Sequence, residues 1–157
     1  MVEGSFGPIA RRAISYHPLM ATLLAHITVR SGAEAEFEAL ARTLYEQTHA
    51  TETGVLRYEY WRGMDERSYY TLLSFTDHRA FIAHQTSDHH ETASPELGRM
   101  IESLRLEWLD PIAGASALPA TAMQPAPEGA SDLTVSYTDR FGALVAPWWE
   151  PLREAST

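Results

Sequence analysis

The chain has 157 residues, 45% of them hydrophobic, enough for one packed domain with extensions. Its 12 Lys and Arg against 21 Asp and Glu leave a net charge of −9, which speaks against nucleic acid and membrane surfaces as partners. The absence of cysteine excludes disulfides, thiolate metal sites and a cysteine nucleophile. With no apolar run of membrane-spanning length and no signal-like N-terminus, the expected location is cytoplasmic.

Residues 1–19 are broken by Gly4, Gly7, Pro8 and Pro18 and read as an N-terminal extension. The first strand is expected over residues 21–30, with Leu23, Ala25, Ile27 and Val29 on one face and Leu24, His26 and Thr28 on the other. Ser31 and Glu34 have capping-box spacing ahead of a helix through Phe37, Leu40, Ala41 and Leu44, and Glu38 faces Arg42 one turn on. Thr53-Gly54 stops that helix. Residues 55–61 and 68–75 form a hairpin across a polar loop. Thr76 or Asp77 caps a short helix carrying Phe81, Ile82 and His84; Asp88 and Glu91 offer a further capping box. Ser94-Pro95 reads as an N-cap with proline at the first helical position, and Leu97, Met100, Ile101 and Leu104 as the helix after it. Residues 106–109 then form the closing strand.

The order β-α-β-β-α-β is the ferredoxin-like pattern of an α+β fold, expected over residues 20–111. Helices cover only one side of such a sheet, so a homodimer through the other side is expected. Residues 112–131 are rich in Ala, Pro, Ser and Gly and read as a linker. Residues 132–157 read as a docking segment. In it Leu133 to Tyr137 alternate, and Phe141, Leu144, Val145, Trp148, Trp149 and Leu152 follow at helical spacing, interrupted by Pro147. Burial of its tryptophans is expected to hold it on the domain, as a pocket lid, a dimer clasp or an inert surface segment.

Three stretches, HITVRSGAEAEFEAL, ETGVLRYEYWRG and LLSFTDHRAFIAHQTSDHH, resemble in order and spacing the first strand and helix, the second strand, and the third strand and second helix of the antibiotic biosynthesis monooxygenase family. The resemblance implies a dimeric α+β barrel with a pocket between sheet and helices in each subunit. It also implies one of several activities: cofactor-free oxygenation of quinols and anthrones, haem degradation, or isomerisation of small metabolites. The haem-degrading branch uses an Asn on the first strand, a Trp ending the third and a His on the helix after it. The matching positions here are Ala25, Phe75 and Ser94, so haem is not expected.

Cofactor-free oxygenation needs a base, hydrogen bonds to a phenolate and exclusion of water. The expected function is therefore a monooxygenase acting with O2 on a phenolic, quinol or anthrone-like aromatic, with no cofactor. A cofactor-free isomerase or cyclase and a non-catalytic binder are the alternatives. The base candidates are His84, His89 and His90, since histidine titrates near neutral pH. Each also has a structural reading: His84 as a satisfied helix-junction histidine, His89 and His90 as a solvated helix start. His26 reads as an interface histidine. The histidines from His78 to His90, with Asp88 and Glu91, lack the spacing of a familiar metal site, and no metal is expected. The substrate wall is expected from Ala25, Ile27, Tyr69, Leu73 and Phe75, with Tyr58, Tyr60 and Trp61 on the second strand. Alternation leaves open whether Tyr58 and Tyr60 or Arg57, Glu59 and Trp61 face inward.

Overall fold

A computed structural model describes residues 20–154; the extension expected over residues 1–19 lies outside the described residues. The elements are β1 (Ala21–Val29), α1 (Glu34–Thr51), β2 (Val55–Arg62), β3 (Ser68–Phe75), α2 (His78–Gln85), α3 (Asp88–Met100), β4 (Ile101–Trp108), α4 (Asp132–Arg140) and α5 (Glu150–Glu154). The four strands form one antiparallel sheet in the order β2-β3-β1-β4, the α+β ferredoxin-like arrangement. Leu23 sits opposite Leu73, Ala25 opposite Thr71 and Ile27 opposite Tyr69, so one register buries all six on the helix side. Phe37 and Leu44 of α1, Phe81 and Ile82 of α2 and Met100 of α3 close that core.

Several local expectations yield to tertiary contacts. No side chain caps α1; its N-cap is Ala33, and Glu38 pairs with Arg62 of β2 through two 2.6 Å hydrogen bonds rather than with Arg42. That fork holds the Glu38 carboxyl down at about 2. Asp77, not Thr76, caps α2, its carboxylate accepting from Ala80 N at 2.8 Å. The helix expected to start at Pro95 begins at Asp88, with Pro95 in its interior. Ile101 and Leu104, which continue the helical spacing of Leu97, belong instead to β4, because pairing with β1 captures the chain from Ile101 onward.

The segment after Pro111 is tied to the domain at several points. Met20 bridges Thr121 in parallel, with Ala122 N donating to Met20 O at 2.9 Å. The fully buried His78 faces the carbonyls of Gln124 at 3.1 Å and Phe141 at 3.0 Å, one with each ring nitrogen. Arg153 donates through Nε to Asp110 at 2.9 Å and through Nη2 to Thr121 O at 2.9 Å. The alternating Leu133 to Tyr137 stretch is helical: Ser131 Oγ accepts from Thr134 N at 3.2 Å and starts α4. The rings that seat this segment are Tyr137 and Phe141, which pack on the core. Trp148 is 68% exposed, and the tryptophan pair expected to anchor the segment does not bury both rings.

Candidate active site

A cavity of about 340 Å³ lies between the sheet and the helices, within the range of small-molecule sites. Its floor is Leu23, Ala25, Ile27, Thr71 and Leu73, all from one face of β1 and β3. The β2 register settles the alternation: Tyr58 pairs with Leu73 and Tyr60 with Thr71, so both tyrosines face the cavity. Arg57, Glu59 and Trp61 point to the other side of the sheet. Trp61, expected in the substrate wall, is 57% exposed and lines a separate surface groove beside α1. Tyr69 shares that groove, its hydroxyl donating to Glu38 at 3.1 Å. Phe75 is fully buried behind the cavity, its ring 5.2 Å from that of His84.

The polar groups concentrate at one end. His84 is 1% exposed, and its Nδ1 lies 3.0 and 3.1 Å from the two oxygens of Glu52. A carboxylate only accepts, so Nδ1 is the donor of this pair, and Nε2 is the ring nitrogen left without a partner. His89 Nε2 reaches the same carboxylate at 3.0 Å and Thr48 Oγ1 at 3.1 Å, which turns this histidine away from the cavity. His90 lines the cavity with its ring 5.0 Å from that of His84. Burial, with His84 and His89 nearby, pushes His90 down to about 4, so it is neutral at physiological pH.

Among the described residues, three buried side-chain polar atoms lack a hydrogen-bond partner: Thr71 Oγ1, His84 Nε2 and His90 Nδ1. All three belong to cavity-lining residues. Buried polar atoms are normally paired, so a cluster of unpaired ones on a cavity wall marks where a ligand's polar groups would sit. The Tyr58 and Tyr60 hydroxyls are 2.7 Å apart. Burial raises both, Tyr60 to about 12, so both stay protonated and the pair has one O–H to spare for an acceptor.

Glu52 is the component that sequence reasoning missed. It is the C-cap of α1, and a turn later Gly54 brings β2 against α2. A Cβ on Gly54 would lie 2.6 Å from Ala80 Cβ, so only glycine permits the approach that sets Glu52 beside His84. Glu52, His84 and His89 also offer three ligand atoms within 4.8 Å of one another, a geometry in which the His84–Glu52 hydrogen bond competes with any cation.

This fold, with a cavity under the helices, defines the class to which known proteins can be compared. Residues 20–96 match the family described as antibiotic biosynthesis monooxygenase, and the chain carries a domain of that family. A protein from Caulobacter crescentus, provisionally named an antibiotic biosynthesis monooxygenase, is 26% identical with a TM-score of 0.57, covering 62% of this chain and 93% of that one. A Pseudomonas aeruginosa protein is 23% identical with a TM-score of 0.55, over 60% of this chain and 95% of its own. A Mycobacterium tuberculosis protein, at 19% identity and a TM-score of 0.56, covers 62% and 99%. No curated protein matches the chain. No described helix is long and apolar enough to cross a membrane.

Proposed function

We propose that the protein is a cofactor-independent monooxygenase that oxidises a phenolic, quinol or anthrone-like aromatic with O2. The observation that carries this reading is the pairing of the buried His84 with the half-buried Glu52, which leaves His84 Nε2 unpartnered on a mostly apolar cavity. Nε2 is placed to take the phenolic proton, while Glu52 holds the ring and stabilises the imidazolium that forms. The spare O–H of the Tyr58–Tyr60 pair donates to the phenolate oxygen. The phenolate gives one electron to O2, and the resulting radical and superoxide combine at a ring carbon. The peroxide takes a proton, and loss of water leaves the quinone carbonyl. The sum is one aromatic C–H and one O–H oxidised, with one oxygen atom kept in product and one released as water. Apolar walls favour this chemistry by excluding competing protons.

The test is oxygen uptake by the purified protein with a panel of hydroxynaphthalenes and anthrones. Uptake matched to quinone formation supports the reading. Turnover under nitrogen would instead favour the isomerase or cyclase, in which the same histidine moves a proton without O2.

A further inference from the structure

The cavity mouth is built by a part of the chain outside the family match. Tyr137, Arg140 and Phe141, at the end of α4, line the cavity beside β4 and α3, whereas the matched segment ends at residue 96. Tyr137 is held by a hydrogen bond from its hydroxyl to Glu91 of α3. Phe141 is held by edge contact with Phe81, ring centres 6.1 Å apart, and by its carbonyl on His78. Arg140 is thus fixed at the rim by its neighbours on both sides. Its guanidinium lies 5.0 Å from the centre of the Phe141 ring. It has no carboxylate partner among the described residues.

The charge pattern of the lining singles out Arg140. Among the described residues no Asp or Glu lines the cavity, and Arg140 is the one arginine or lysine that does. In a chain of net charge −9, an unpaired guanidinium at the rim of an acid-free cavity is a local reversal of sign. An arginine stacked on an aromatic ring presents its remaining N–H donors edge-on, which suits a carboxylate. The neutral and apolar interior suits the ring system, and the Glu52–His84 end suits its hydroxyl.

We propose that the substrate is a hydroxylated aromatic acid, a polycyclic phenol whose carboxylate lies away from the reacting hydroxyl and is bound by Arg140. The proposal rests on the monooxygenase reading only in placing a phenol at His84. The chain therefore selects its substrate with the C-terminal segment and carries out the chemistry with the family domain.

The experiment compares binding of a matched probe pair, 6-hydroxy-2-naphthoate and 2-naphthol, by calorimetry on the full chain. Wild-type protein is expected to bind the acid about tenfold tighter than the naphthol, the value of one partly exposed charge-assisted contact. Arg140→Gln removes that preference and leaves 2-naphthol binding unchanged, while Arg140→Lys retains part of it. Equal affinity for both probes in wild type, or a preference that survives Arg140→Gln, overturns the proposal and leaves the phenol pocket standing. Binding of neither probe at millimolar concentration overturns both. The variant lies on an exposed side chain, and circular dichroism and the 2-naphthol affinity report that its fold is intact.

Discussion

Replacing Glu52 by Gln is the most informative single change at the proposed catalytic end. The carboxylate accepts from His84 Nδ1 at 3.0 Å, and His89 Nε2 stands 3.0 Å from the same oxygen while bonding to Thr48 Oγ1 at 3.1 Å. An amide carries no charge, so the bond from His84 Nδ1 loses its charge assistance, and it is lost outright where the amide nitrogen, a donor, faces Nδ1. The loss is at least one charge-assisted hydrogen bond in a buried setting, about 1.5–3 kcal/mol. If the bond strengthens as His84 becomes an imidazolium, that energy appears in the barrier, and a tenfold change in rate accompanies each ~1.4 kcal/mol. The expected fall in kcat for Glu52→Gln is therefore about 10- to 100-fold, with KM within a few-fold, because Glu52 does not touch the substrate. His84→Ala should cost about 10²-fold or more, and the double variant no more than His84→Ala alone, since the two act as a unit. Initial rates of oxygen uptake, with circular dichroism as the folding control, measure all three. Full kcat in Glu52→Gln, or additive losses in the double variant, would refute the orienting role.

Other consequences can be checked independently. We propose that the sheet face opposite the helices pairs with a second copy: it presents Leu24, Leu72, Tyr70 and Trp61, the last two 37% and 57% exposed. Leu72→Asp, which would bury a charge there, should shift light scattering from dimer toward monomer. A wild-type monomer at micromolar concentration would contradict this. His90 lies at about 4 in the fold, below its ordinary value of 6.5. Between those pH values the unfolded chain binds a proton that the folded one does not. Stability is full above about pH 6.5, falls by up to about 1.4 kcal/mol per pH unit as pH drops towards 4, and levels off below. His90→Phe should flatten that part of the Tm-versus-pH curve, and an unchanged curve would count against the buried neutral ring. Glu52, His84 and His89 should hold no stoichiometric metal, so EDTA should leave oxygen uptake intact; loss restored by zinc would turn this cluster into a metal centre.

The sheet was legible from the sequence because period-two patterns are local: Leu23, Ala25 and Ile27 against Tyr69, Thr71 and Leu73 fix both face and register. The second strand was not, since VLRYEYWR carries aromatics on both faces and only its pairing with β3 shows that Tyr58 and Tyr60 point inward. The boundary between α3 and β4 failed for a related reason: Ile101 and Leu104 fit a helix by spacing, and a strand only through their pairing with β1. His84 and His90 were named from residue chemistry and lie together at the cavity. His89 was named on the same grounds but spends its Nε2 on Glu52 and Thr48. Glu52 carried no signal of its own beside the helix-stopping Thr53-Gly54, because its role exists only where the end of α1 meets α2. The contribution of α4 was partly hidden, as the five alternating residues from Leu133 to Tyr137 suggested extended chain while the Ser131 cap favoured helix.

The central claim, that one atom of O2 enters an aromatic after His84 removes its proton, is tested most directly by isotope labelling. Turnover under ¹⁸O2 in ordinary water, followed by rapid mass spectrometry of the quinone, should show one labelled oxygen in the product, with labelled product forming about 10²-fold more slowly after His84→Ala. An unlabelled product formed at the same rate with or without O2 would contradict it.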